Sequence, residues 1–103
     1  MVKNNKLVRD NIPDIIIKAG KKPAYHVIKD DKEYLNQLLL KLIEEANEVK
    51  ADPSKEELAD VMEVVLAIAD YLKLDIKDIE DYRKIKQTKN GAFKKRLLLE
   101  STS

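Results

Sequence analysis

Eight acidic residues lie between Lys41 and Glu63, in KLIEEANEVKADPSKEELADVME, and their spacing constrains the fold more than any other feature of the chain. They are Glu44, Glu45, Glu48, Asp52, Glu56, Glu57, Asp60 and Glu63; after the leading Lys41, only Lys50 and Lys55 oppose them. The stretch reads as helix, turn, helix. Asp52-Pro53 is the break, since Asp can cap a helix and proline is tolerated in a first turn. Glu45 and Glu48 then stand three apart on the first helix, and Glu57 and Asp60 three apart on the second. With the first helix ending near Ala51 and the second starting near Ser54, Glu48 and Glu57 each lie three residues from the turn, Glu45 and Asp60 six. At about 1.5 Å per residue the two pairs sit roughly 4–5 Å and 9 Å from the loop, level across an antiparallel hairpin.

The apolar residues support the same hairpin. Leu35, Leu38, Leu42, Ala46 and Val49 form a stripe on the first helix; Leu58, Val61, Val65, Ala69 and Leu72 form one on the second. Glu45 and Glu48 flank one edge of the first stripe, and Glu57 and Asp60 the same-handed edge of the second, so four carboxylates can converge. Unneutralised, such a group is costly, because like charges raise one another's pKa and burial adds desolvation. A hard divalent cation resolves both problems. Mg²⁺ takes carboxylate oxygens and keeps waters that a phosphate can displace. Glu45, Glu48, Glu57 and Asp60 are therefore the candidate Mg²⁺ ligands, with Mn²⁺ an alternative ion. For any single glutamate, the competing reading is a solvated helix face.

The pattern Glu44-Glu45-x-x-Glu48 followed by Glu57-x-x-Asp60 resembles that of the MazG-like nucleoside triphosphate pyrophosphohydrolases. KLVRDNIPDII (Lys6 to Ile16) and NGAFKKRLLLE (Asn90 to Glu100) are similar to the ends of a short single-domain branch related to phosphoribosyl-ATP pyrophosphohydrolases, so the resemblance spans nearly the whole chain. Two departures stand out: the link between Glu48 and Glu57 is short, and Gly91-Ala92-Phe93 replaces a frequent Gly-Gly-Phe. The resemblance implies an all-α helical bundle with a central antiparallel helix hairpin, one domain over residues 1–103, assembled as a homo-oligomer. It also implies Mg²⁺-dependent cleavage between the α and β phosphates, giving a nucleoside monophosphate and pyrophosphate. Phosphoribosyl-ATP hydrolysis is the enzymatic alternative. A non-enzymatic oligomeric helical binding module is the other.

The remaining residues narrow the chemistry. No glycine-rich loop carries a phosphate-binding lysine, there is no cysteine, and there is one histidine. Metal-assisted hydrolysis remains, with Glu44 or Glu45, whichever is not committed to metal, taking the proton from the attacking water. Lys41 and, from the basic run, Lys84, Lys86, Lys94 and Arg96 are candidates to neutralise phosphate oxygens. The resemblance adds Arg9, for phosphate or intersubunit contact. Residues 83–96 carry seven cations and no acid, yet the net charge is only +1. A nucleotide is thus the expected partner, and nucleic acid is not, since its binders usually show a larger basic excess.

No apolar run approaches a membrane span and no leader pattern opens the chain, so a cytoplasmic protein is expected. A short helix should run from Asn11, as its cap, to Ala19, with Gly20 ending it. Ala24–Ile28 has strand-forming residues and suits a brief extended piece. Asp30-Asp31 should cap the helix running to Ala51, and Asp75 one running from Ile76 to Lys89. Between Val61 and Ala69 only Glu63 interrupts VMEVVLAIA. A helix apolar nearly all round needs cover on more than one side. The expected cover is a second copy, in a homodimer or higher homo-oligomer, meeting Val64 and Ile68; a central helix in a monomeric bundle is the alternative. Phe93 and Leu97–Leu99 form an apolar tail that needs somewhere to dock.

Overall fold

Helix caps written in the sequence decide most of the element boundaries. The computed structural model describes residues 5–103 and contains, among them, four helices and no strand: α1 (Ile12–Lys18), α2 (Asp31–Ala51), α3 (Lys55–Tyr71) and α4 (Ile76–Asn90). The first four residues of the basic N-terminal segment lie outside the described residues. Asp30 accepts the Glu33 N–H at 3.0 Å to start α2, and Ser54 accepts the Glu57 N–H at 3.2 Å to start α3. Asp75 accepts the Lys77 N–H at 2.9 Å to start α4. Each such cap is worth about 1 kcal/mol.

Two of the expected caps are not formed. Asn11 takes helical dihedrals and makes no side-chain cap bond, leaving Pro13 as the only start signal used by α1. Asp52 closes α2, with its N–H on the Glu48 carbonyl, and the capping of α3 passes to Ser54. Helix ends follow the expected chemistry more closely. Gly20 and Gly91 take φ of 84° and 87°. At the end of α3 the Leu74 N–H bonds the Ala69 carbonyl at 2.9 Å, across Lys73 at φ 58°. That is a Schellman closure with lysine where glycine is usual. Ala24–Ile28 forms no strand: strand-prone residues have no second edge to pair with, and Tyr25 and Val27 stay exposed.

α2 and α3 pack along their length as the hairpin. Leu38, Val64 and Ala69 are its buried residues, with Leu35, Leu42, Val49, Val61 and Ile68 half-buried around them. The α2 stripe is close to that expected. The α3 stripe is met in part, with Ala69 buried and Val61 half-buried. Leu58 and Val65 are exposed and Val64 is in the core, so α3 is turned from the predicted face, and Val64 is not available to meet another copy. The physical reason lies in two competing apolar sides. Val61, Val64 and Ile68 share one side with Glu57 and Asp60; Leu58, Met62, Val65 and Leu66 share the other. The hairpin closes on the first.

At the open end of the hairpin, Tyr34 of α2 and Tyr71 of α3 meet edge to face, ring centres 5.6 Å apart. The Tyr71 hydroxyl donates to the Asp31 carbonyl at 3.1 Å. These contacts fix the two helices at the end away from the turn, and so set their relative rotation. α4 makes no comparable packing on either helix, and among the described residues Phe93 and Leu97–Leu99 stay exposed with no docking site. Among the described residues, no helix is long and apolar enough to cross a membrane.

Candidate functional site

Three of the four carboxylates singled out by spacing come together. Oxygens of Glu45, Glu57 and Asp60 lie within 4.8 Å of one another across the α2–α3 hairpin. Glu57 and Asp60 occupy successive turns on the closing side of α3, and Glu45 faces them from α2. Glu48 is exposed and outside the triad. Three residues along a helix turn it by about 300°, so Glu48 stands some 60° round from Glu45, away from the line of Leu42 and Val49 that faces α3.

Electrostatics show how tightly the acids are gathered. The Glu57 carboxyl is pushed above its ordinary value of 4.5 by loss of solvent, then by the charges of Asp60, Glu48, Glu45 and Asp52. Glu48 therefore acts on the site through its field. Glu44 goes the other way. Burial alone raises it, but hydrogen bonds and charge from Lys41 and Lys6 outweigh that and hold it below the ordinary value. Lys41 lies 3.3 Å from Glu44 and 3.4 Å from Glu45. Both Lys41 and Glu45 are largely covered, at 17% and 12% exposure, so this pair is screened less than a surface one.

The N-terminal segment closes one side of the site. Arg9 donates to the Asp60 carboxylate at 2.7 Å and sits 3.9 Å from Glu63; Lys6 reaches Glu44 at 3.4 Å. Between this segment and the hairpin lies a cavity of about 570 Å³, walled by Arg9, Asn11, Tyr34, Lys41, Glu45, Asp60 and Glu63, with an apolar floor of Leu38, Val64 and Ala67. Its size falls in the range of small-molecule sites. Glu63 and Tyr34 line it although no motif pointed to them. For Glu63 the signal was present, one turn beyond Asp60 on the same helix side. Of the six cations expected to meet phosphate, Arg9 and Lys41 are at this cavity. Lys84, Lys86, Lys94 and Arg96 lie on α4 and the tail, exposed, and line no part of it. Arg83 is held by Glu80 on the same helix.

The donor set fits a hard cation. All three side chains present carboxylate oxygens, the ligands that Mg²⁺ takes, and one oxygen from each lies within 4.8 Å of the others. No family model, curated protein or solved structure matches this chain. The functional reading therefore rests on this geometry.

The opposed shifts of Glu57 and Glu44 set a pH dependence. Glu57 binds its proton more tightly in the folded state, so its contribution to stability is present at acid pH and lost as pH rises through its raised value. Glu44, with its value lowered, contributes above the ordinary value and loses that contribution as pH falls. In metal-free buffer, Glu57→Gln should melt above the parent at neutral pH. That advantage should vanish as pH is lowered through 4.5, where the parent's Glu57 is itself neutral. Thermal melts of the two proteins across this range test it; an advantage independent of pH would remove the crowding of Glu57 as its cause.

Proposed function

We propose that this chain is a divalent-metal-dependent pyrophosphohydrolase of nucleoside triphosphates, cutting between the α and β phosphates to release a nucleoside monophosphate and pyrophosphate. The observation that carries the reading is the Glu45–Glu57–Asp60 triad, two of whose members, Glu45 and Asp60, wall a nucleotide-sized cavity that also holds Arg9 and Lys41. The acids supply hard-cation ligands, the two cations a place for phosphate oxygens, and the apolar floor a surface for a base or ribose. The choice of bond follows from the resemblance of the acidic pattern to the MazG-like enzymes. Mg²⁺ bound by the triad would draw charge from the phosphate oxygens and lower the pKa of a water for attack.

The protein's own residues divide the rest of the work. Glu45, Glu57 and Asp60 fix the metal position from two helices whose rotation is locked by the Tyr34–Tyr71 contact. Arg9 balances Asp60 in the structure, and with a substrate present its guanidinium stands where phosphate oxygens accumulate charge. Lys41 holds Glu44 ionised and pairs with Glu45 at 3.4 Å. Glu44, outside the triad and kept deprotonated by Lys41 and Lys6, is the base for the attacking water. A panel of nucleoside triphosphates and phosphoribosyl-ATP, each with Mg²⁺ and with detection of pyrophosphate, tests the reading. Release of pyrophosphate with a matching monophosphate is expected; release of orthophosphate, or no turnover of any nucleotide, would overturn it.

A further inference from the structure

The acids and cations at the cavity do not balance. Its wall carries Asp10, Glu45, Asp60 and Glu63 against Arg9 and Lys41, an excess of two negative charges that one divalent ion would offset. One of the cations is committed to an acid that the metal needs. Arg9 donates through Nη2 to Asp60 Oδ1 at 2.7 Å, and Asp60 belongs to the triad. Its other terminal nitrogen, Nη1, lies 3.9 Å from Glu63 Oε1, and Glu63 stands outside the triad. The Arg9 backbone is anchored while its side chain is not. Its carbonyl accepts the Ile12 N–H at 3.1 Å, and Leu7 is half-buried against the cavity, whereas the Arg9 side chain is 54% exposed. The guanidinium can therefore turn without moving the segment that carries it.

We infer that Arg9 is a resident counter-ion that passes from Asp60 to substrate phosphate when a divalent ion occupies the triad, with Glu63 holding it during the exchange. The inference rests on the metal centre proposed above and adds an order of events to it. A guanidinium and a divalent ion on one carboxylate repel each other, so each weakens the other's hold on Asp60. Asp60 and Glu63 lie three residues apart on α3, and both line the cavity. Arg9 can thus give up Asp60, keep Glu63 and present Nη2 to the cavity. Glu63 is a positioning residue: unpaired, its charge would repel phosphate, and paired it aims Arg9 at phosphate. Before the ion arrives, the Arg9–Asp60 pair lessens the repulsion among the triad acids. Metal and phosphate then favour each other's binding, and by linkage each does so by the same factor.

Two affinities should move in opposite directions. In calorimetric titration with Mg²⁺ alone, Arg9→Gln should bind the ion about two- to fivefold tighter than the parent, the factor a partly exposed ion pair is worth. With pyrophosphate added at saturating Mg²⁺, the same variant should bind it at least about tenfold more weakly, through loss of a hydrogen bond between charged groups. Lys6→Gln removes the same charge from Glu44, which lies outside the triad. Equal tightening of Mg²⁺ in both variants would reduce the effect to net charge and overturn the exchange. Arginine stands only at positions 9, 83 and 96, so the Arg9 side-chain Nε–H resonance is readily assigned by nitrogen-15 NMR. In the parent that resonance should shift with Mg²⁺ and again with pyrophosphate; in Glu63→Gln the second shift should shrink. A resonance unmoved by bound Mg²⁺ overturns the exchange and leaves the metal centre standing. A second shift in Glu63→Gln equal to the parent's overturns the role of Glu63. Absence of Mg²⁺ uptake by the parent and Arg9→Gln alike removes the centre, and the exchange with it.

Discussion

Glu57→Gln and Asp60→Asn are each expected to lower turnover by at least about a hundredfold while leaving helix content intact. Loss of a group that merely orients a metal ligand costs about 10–100-fold, and loss of a ligand costs at least that. Glu45→Gln belongs with these two. Glu48→Gln should cost less, because Glu48 lies outside the triad and acts on it through its charge. This order of effects distinguishes the three-carboxylate centre from a four-ligand one. Stability should move the other way. Without metal, neutralising Glu57 removes repulsion, so melting rises at neutral pH. With Mg²⁺ at about a hundred times its dissociation constant, the parent gains about 2.7 kcal/mol by mass action, a rise on the order of 10 °C for a domain of this size. Glu57→Gln and Asp60→Asn should lose most of that rise. A parent unmoved by Mg²⁺, together with an active Asp60→Asn, would remove the centre.

The part of this arrangement legible in the sequence is the part set by local rules. Asp30 and Asp75 as caps, Gly20 and Gly91 as stops, and the hairpin break after Ala51 all follow from short-range hydrogen bonding, and all are found. The convergence of Glu45 with Asp60 follows from equal distance to the turn. Rotation of α3 is a different kind of quantity. Its two sides are almost equally apolar, so the choice between a Val64 face and a Leu58–Val65 face is decided by what packs at the open end, where Tyr71 meets Tyr34. No pattern within α3 reports that contact. The ion pairs of Arg9 and Lys6 span 51 and 38 residues and were equally illegible from spacing. The placement of Lys84, Lys86, Lys94 and Arg96 depends on where α4 and the tail come to rest, and among the described residues these pack on no other helix to the extent that α2 and α3 pack on each other.

That rotation makes Val64→Glu a test of the core and of the site together. Val64 is 8% exposed and shares the closing side of α3 with Asp60, one turn away. A glutamate there enters the core within reach of the existing carboxylates, with no added cation. Burial without a partner and repulsion by its neighbours then act together, at a cost of several kcal/mol. Leu38→Ala, opposite it on α2, should cost about 2–5 kcal/mol through lost transfer energy and the cavity left behind. Against a typical domain stability of about 5–15 kcal/mol, either change should lower melting by tens of degrees or leave the chain unfolded. Met62→Glu, 66% exposed on the opposite side of the same helix, should keep its far-ultraviolet helix signal under conditions where Val64→Glu has lost it. Thermal melts followed by circular dichroism give the ranking directly. If Val64→Glu melts like the parent and Val65→Glu does not, α3 is turned onto its other face. Asp60 and Glu57 would turn with it, away from Glu45, and the triad would not exist.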